Sequence, residues 1–484
     1  MRFDNISIIG NGVSGIATFI SLVMYSNIKI ITFISPTEMG GSEAFSDASK
    51  EMICNTSVGS ISVVPNNQND FLLFLISIGK FVTVDDFVPR YLVDLYIKNR
   101  YELFHEIALS KGIKINHIKE KVQCINYSYS PYTIKTENKK EYLTDAVVVC
   151  SGYSNNRVPS IFEKHIKQET FYVSPYPLKN VMERLSKNSN VLIIGSKLSA
   201  IETSIQLAKN KHIVTMLSPS GELPAVRGHT VPLRTSILRK NSLEKMDFRD
   251  LNLGKKIVNA INKSLILNFK SSIYSQVSRK VSPIDRLREE LKLALDGKIY
   301  WQDIMVEVID KLNELLLTQS IDIRSEFINK CTPIIDRYMG ACSIQSAEIL
   351  LNKLIDNKIK LRKGIVSDVI KEKKWNVSWV NDSDLFDAII LATGRELPDF
   401  YIKDDNDELF FNKENLCRKA TITKNYRLFN NGMDKEEYIW FIGVSSHSSI
   451  PLINAIYPIT LQVQEVGEWF RLNKDNLLGY NYFH

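Results

Sequence analysis

No two of the six cysteines (Cys54, Cys124, Cys150, Cys331, Cys342 and Cys417) stand in C-x-x-C spacing. Neither a dithiol redox pair nor a cysteine-based zinc site is therefore written into the chain, and buried or inert thiols are expected. No apolar run approaches the roughly 18 residues that a membrane-spanning helix needs. A P-loop, a Ser-His-Asp arrangement and metal-ligand spacing are all missing, which leaves kinase, hydrolase and metalloenzyme readings without support. The net charge of +7 comes from lysines distributed along the chain with no arginine-aromatic cluster, which argues against a nucleic-acid partner. From Leu251 to Ile284 the sequence lacks acidic residues altogether, while Lys255, Lys256, Lys263, Lys270, Arg279 and Lys280 appear, a pattern that fits a solvated helix face or an acidic partner.

At 484 residues, with 44% hydrophobic content and a mean hydropathy of −0.10, the chain has room for two or three domains with substantial cores. Asp4 and the following glycines interrupt the apolar N-terminus, which is expected to be part of the fold and not a signal peptide. A cytoplasmic protein is expected.

Two strand-to-helix turns dominate what is present. The apolar strand Asn5 to Ile9 runs into Gly10-Asn11-Gly12-Val13-Ser14-Gly15, then into a helical stretch through Ile20 and Leu22 and a second strand at Ile28 to Phe33. In that context G-x-G-x-x-G is a dinucleotide-binding fingerprint: one glycine for the tight turn, one for backbone approach to a pyrophosphate, one for helix-strand packing. The phosphates then meet the positive end of the helix. A second copy runs from Val191 through Gly195-Ser196-Lys197-Leu198-Ser199-Ala200, with Lys197 at the middle glycine position.

Helical spacing predicts helices over Tyr91 to Ser110, Trp301 to Leu317 and Ala347 to Ile355. Short strands are predicted around Val122 to Tyr127 and Tyr132 to Thr136. Two apolar strands end on a small residue and a glycine, at Ser151-Gly152 and at Thr393-Gly394, which lets a nucleotide cross their ends unobstructed. The last strand, Tyr438 to Ile442, leads through Gly443 and a serine-rich loop holding His447 into a helix from about Ile453 to Phe470. That corner is suited to an anion or a carbonyl.

A nucleotide unit, an interruption carrying a second unit, and a C-terminal return is the plan of two-dinucleotide flavoproteins. Within that class, the lack of a redox dithiol argues against the disulfide reductases. The runs Met39 to Ser46, Cys54-Asn55-Thr56, Asp70-Phe71 and Phe87-Val88-Pro89-Arg90-Tyr91 resemble the YdhS-like FAD/NAD(P)-binding family, related at fold level to flavin-containing and N-hydroxylating monooxygenases. Ser174-Pro175-Tyr176, Gly221-Glu222-Leu223-Pro224, Trp301-Gln302-Asp303 and Gly443 with Asn454-Ala455 extend the resemblance along nearly the whole chain.

The resemblance implies an α/β fold with two Rossmann-like domains and a helical insertion. Its expected boundaries are 1–175 for the first part of an FAD domain, 176–225 plus 360–395 for an NAD(P)-type domain, 226–359 for the insertion, and 396–484 for the return. It implies FAD with Gly10, Gly12 and Gly15 around the pyrophosphate, Gly40, Gly41 and Asn55 along the flavin, and Val122 to Cys124 past the adenine. It also implies NADPH or NADH at Gly195 to Ala200, as the hydride donor that reduces the flavin.

Three departures stand out. The ribose-binding acid expected at the end of the second strand is Ile34, leaving Ser35 as a substitute contact. Lys197 either neutralises a nucleotide pyrophosphate or fills its space. Ser218-Pro219-Ser220 stand where arginines would clamp a 2′-phosphate, so nothing in the sequence favours NADPH over NADH.

Candidate chemistry rests on His447, which the resemblance places near the flavin, and on Arg90, which follows a proline at a helix start and suits a phosphate or carboxylate. An ordinary loop histidine and a surface salt bridge fit the same residues. His229, beside Arg227, is a weaker candidate, and Glu202 reads as structural. The chain is thus expected to be an NAD(P)H-using, FAD-dependent monooxygenase of a small or peptide-borne metabolite. The alternatives are a flavin oxidase or dehydrogenase with a degenerate nicotinamide site, and a non-catalytic nucleotide-binding scaffold.

Overall fold

In the computed structural model, residues 3–40, 45, 52–228, 236–238, 243–250, 252–380, 382–403, 407–415, 417–449 and 456–473 are described. Gly41, His229 and Asn454-Ala455 lie outside them.

The first glycine turn belongs to a six-stranded sheet in the order Arg427–Asn430, Lys435–Phe441, Ala146–Val149, Asn5–Ile9, Ile30–Ile34, Lys114–Ile118. All its pairings are parallel except that of the edge strand Arg427–Asn430. Alternation along the strands explains what covers each face. Ile6, Ile8, Ala146, Val148 and Trp440 point into a core shared with the helices Val13–Tyr25, Arg90–Ser110 and Ile456–Leu472. Ile9, Val147, Val149, Ile439 and Phe441 point the other way, into a core closed by an antiparallel sheet. That sheet runs Arg418–Lys419, Tyr401–Lys403, Glu408–Phe410, Val122–Asn126, Tyr132–Thr136, Glu141–Thr144. The chain thus returns to its first sheet after residue 400, through strands whose short polar sequences gave no apolar period to read.

The second turn sits in an all-parallel sheet in the order Ile359–Lys363, Ile213–Ser218, Asn190–Ile194, Ala388–Leu391, Phe171–Tyr172. The layering repeats. Val191, Ile193, Ala388 and Ile390 face helices, and Leu192, Ile194, Ile389 and Leu391 face a three-stranded antiparallel sheet, Val366–Lys371, Trp375–Trp379 and Asp382–Phe386. Phe171–Tyr172, expected within the first unit, is an edge strand of this second sheet.

Between Ser218 and Ile359 lies the helical insertion. Helices Leu253–Phe269 and Trp301–Leu317 share a separate core with Phe327 of helix Ile321–Ile334. Helices Pro283–Leu295 and Ile344–Ile355 instead contribute Leu287, Leu291, Leu350 and Leu351 to the core of the second sheet. Two segments cross between the sheets, and they are zipped together. Ser154 N donates to Glu396 O at 3.0 Å, Arg157 N to Gly394 O at 3.0 Å, and Glu396 N to Asn155 O at 2.9 Å. No described helix is long and apolar enough to cross a membrane.

The C-terminal helix lies directly on the first nucleotide helix. A Cβ on Gly467 would stand 2.2 Å from Ser21 Oγ and 2.6 Å from Tyr25 Cδ2, and Ser21 Oγ donates to Val463 O across the same seam at 2.5 Å. Gly467→Val is expected to cost about 1–3 kcal/mol of stability through overpacking. Urea titration checks it; an unchanged midpoint would show that the two helices part without penalty.

Candidate functional site

Both turns have the same backbone. Gly10 (φ +105°) and Gly195 (φ +132°) occupy a region that side chains disfavour. Each also faces a strand-end carbonyl: a Cβ would lie 2.2 Å from Cys150 O at Gly10 and 2.5 Å from Ala392 O at Gly195. Gly10 N donates to Ile34 O at 3.0 Å and Gly195 N to Leu217 O at 2.8 Å. Each turn strand has sheet neighbours on both sides, from later segments of the chain in opposite directions, which is the crevice where open α/β sheets bind ligands.

At the next position Gly12 has φ −81°, ψ −160° and Lys197 has φ −92°, ψ −170°, each capping its helix. This is extended backbone that any residue adopts, so Lys197 imposes no strain. The helices differ in their approach. A Cβ on Gly15 would lie 2.1 Å from Gly10 O, whereas Ala200 carries a real, fully buried Cβ. The helix Leu198–Lys209 therefore stands further from its turn.

Around the first turn the sequence-predicted residues converge. Gly40 N donates to Asn11 O at 3.3 Å. Gly443 (φ +64°) approaches so closely that a Cβ there would lie 2.2 Å from Ser14 Oγ. The loop carrying Gly443 is pinned by Gln462, whose Oε1 accepts from Gly443 N at 2.7 Å and whose Nε2 donates to Ser446 Oγ at 2.8 Å. Ser151 N donates to the fully buried Ser445 Oγ at 3.1 Å. Among the described residues, a Cβ on Gly12 would meet only Gly40 O at 3.9 Å, and one on Gly152 would meet nothing within 4 Å. A glycine cradle at a helix N-terminus fits a dinucleotide's pyrophosphate. Asn55 is half-buried in the segment after Cys54, whose backbone N donates to Val88 O at 2.9 Å.

Ser35 is a partial substitute for an acid. Its Oγ donates to Asn11 Oδ1 at 3.0 Å, and Asn11 Nδ2 donates to Thr37 O at 2.6 Å. With its proton committed and Thr37 N donating to it at 3.4 Å, Ser35 Oγ keeps at most one acceptor site for a ribose hydroxyl. Glu38, the nearest acid after the strand, pairs with Lys119 at the surface. Cys124 is buried in the antiparallel sheet, its thiol pushed up to about 11 by burial and then by Glu408.

Arg90 is a correction. Its Nη2 lies 2.6 Å from Glu202 Oε1 and its Nε at 3.2 Å, and Tyr176 OH donates to Glu202 Oε2 at 3.1 Å. Glu202 sits on the second nucleotide helix, so this buried pair ties the first unit to the second and does not present a cation to substrate.

His447 is partly engaged as well. Its Nε2 lies 2.7 Å from Pro398 O and 3.9 Å from Asp399 Oδ1. A carbonyl only accepts, so Nε2 carries the proton and Nδ1 is the basic nitrogen of the neutral ring. Burial holds its pKa below the ordinary value, against the pull of Pro398 O and Asp399.

At the second turn the structure supplies what the sequence hid. Ser196 Oγ donates to Glu222 O at 2.6 Å and accepts from Ser218 Oγ at 2.8 Å. Ser218 pairs in register with Lys363 of the adjacent strand, and a Cβ on Gly221 would lie 2.8 Å from Lys363 Cβ. The stem of a lysine far away in sequence thus lies beside the Ser218-Pro219-Ser220 corner. Lys197 Nζ lies 3.6 Å from Asp336 Oδ2 of the insertion.

Residues 7–154 match the family model described as FAD-NAD(P)-binding, and residues 95–263 match that described as pyridine nucleotide-disulphide oxidoreductase. All six cysteines are free. No curated protein matches the chain. Among solved structures, the ornithine N-hydroxylase of Kutzneria sp. 744 is similar at 11% identity and TM-score 0.60, covering 98% of this chain and 100% of that one. The L-lysine 6-monooxygenase from Pseudomonas syringae is similar at 12% identity and TM-score 0.53, covering 97% and 99%. The cadaverine monooxygenase of the desferrioxamine pathway from Erwinia amylovora is similar at 13% identity and TM-score 0.52, covering 98% and 94%. These likenesses establish the shared fold, two Rossmann-type domains in one chain.

Arg90→Met is expected to destabilise by about 3–5 kcal/mol because it strands a buried carboxylate, while Arg90→Met with Glu202→Met recovers most of the loss. Denaturant titration of both variants reads this; equal losses would place the cost in packing alone. The lowered pKa of His447 means that the folded state binds fewer protons there than the unfolded chain. Its contribution is complete above about pH 6.5 and is lost as pH falls through the folded value. Thermal melts across pH 5–8 should flatten in His447→Gln, though His117 and His212, also lowered by burial, keep part of the slope.

Proposed function

We propose that the protein is an FAD-dependent oxidoreductase, an NAD(P)H-using monooxygenase of a small or peptide-borne metabolite. One observation carries this reading: two glycine turns of equal backbone, each at the centre of its own parallel sheet, in a single chain with linked crossings. The three solved relatives named above are monooxygenases, which supports the reaction type. The finer assignment to a YdhS-like family rests on the motifs around Asn55, Arg90 and Trp301.

Bound flavin supplies the redox chemistry, accepting a hydride and activating oxygen; the protein supplies position and surroundings. Gly10, Gly12 and Gly15 admit the pyrophosphate to the N-terminus of helix Val13–Tyr25, and Ser14 and Gly443 bring the C-terminal loop against it. Ser445 and Gln462 fix that loop. Nδ1 of His447 is a basic nitrogen on the same loop, able to hold or pass a proton. Gly195 and the following helix start receive NADPH or NADH, with Lys363 beside the corner where a 2′-phosphate would lie. Six free cysteines suit a reducing compartment such as the cytoplasm.

The ion pair of Lys197 favours a second reading, a flavin oxidase or dehydrogenase that draws electrons from its own substrate without nicotinamide. A visible spectrum of the purified protein is expected to show flavin bands, and their absence even after adding FAD would leave only a non-catalytic scaffold. Anaerobic mixing with NADPH and with NADH is expected to bleach the flavin. A flavin inert to both would select the oxidase.

A further inference from the structure

We propose that Lys197 is a ligand for the pyrophosphate of the nicotinamide nucleotide, and that Asp336 of the helical insertion holds its ammonium until the nucleotide displaces it. The proposal rests on the reading of the second turn as a nucleotide site.

Lys197 stands where Gly12 stands in the first turn, with nearly the same φ and ψ. At Gly12 a Cβ would meet, among the described residues, only Gly40 O at 3.9 Å. Lys197 is the N-cap of helix Leu198–Lys209, which has no acid in its first turn, and its side chain is 43% exposed. The anion that meets this charge is Asp336, at 3.6 Å.

Asp336 is presented by a rigid platform. It belongs to the π-helical turn Ile335–Met339, and such turns recur at functional sites. Ala225 N donates to Arg337 O at 2.9 Å, and Arg337 Nη1 donates to Leu223 O at 2.8 Å. Arg337 also pairs with Glu290, and Arg227 Nη2 donates to Tyr338 O and Met339 O, both at 2.6 Å. The backbone turn that carries the carboxylate is anchored; the lysine is a flexible four-carbon stem. With side chains 43% and 50% exposed, the pair is held weakly enough for a diphosphate to replace the carboxylate. The insertion thus sets the affinity of the second site through one exchangeable contact.

Isothermal titration of the FAD-loaded protein with NADP⁺ and with NAD⁺ tests this, using wild type, Asp336→Asn, Lys197→Met and the double variant. Asp336→Asn is expected to tighten binding about two- to five-fold, or about 0.4–1 kcal/mol. Lys197→Met should weaken it about tenfold or more, and Asp336→Asn should add little in that background. Unchanged or weaker binding by Asp336→Asn overturns the competition, and binding by Lys197→Met as tight as wild type overturns the ligand role. If neither wild type nor any variant binds either nucleotide, the nucleotide reading of the second turn falls and the proposal falls with it. Binding by wild type without the Asp336 effect removes the proposal alone. Because the pair is half-exposed, melting temperatures close to wild type are expected for all variants and confirm that folding is unaffected.

Discussion

Two backbone oxygens govern the arrangement of the whole molecule. Cys150 O and Ala392 O press against Gly10 and Gly195 so closely that neither glycine has room for a methyl group. Each contact brings the end of a neighbouring strand across the turn, and with it the segment that leaves that strand: Ser151-Gly152 in one case and Thr393-Gly394 in the other. The crossings between the sheets start at these two points. The helix starts and the serine-rich C-terminal loop take their positions from that compression.

From this shared beginning the two turns diverge by side chains alone. The first is bare at all three glycine positions, so its helix is drawn in and the C-terminal loop closes against Ser14. The second keeps the bend but carries Lys197 and Ala200. Its helix stands back, and Asp336 of the helical insertion meets Lys197. A single architectural unit thus serves once as a bare glycine cradle and once as a charged, half-exposed mouth.

Local features were legible in the sequence to the extent that their cause was local. Helix Trp301–Leu317 and strand Tyr132–Thr136 have the bounds that apolar periodicity predicts, and the first turn's role follows from glycine spacing within a strand-helix context. The strand Asp382–Phe386 was not legible, because four of its five residues are exposed and polar or isolated apolar side chains carry no period. The partner of Arg90 was not legible for a related reason: sequence left an anion contact and a surface salt bridge both open, and nothing nearby announces a buried carboxylate 112 residues away. Lys363 and Asp336 were invisible because parallel pairing and the packing of the insertion, both non-local, bring them to the second turn. Sequence showed where the cradle is; it did not show what leans over it.

The paired crossings at 154–157 and 394–396 have a mechanical meaning. One extended linker would let the two sheets twist and swing in any direction, whereas two linkers joined by backbone hydrogen bonds act as a flat strap. A strap bends readily across its face and resists shear within its plane. Two linked crossings thus restrict how the two nucleotide turns can move relative to each other, and the buried Arg90–Glu202 pair is a further tie between the two units.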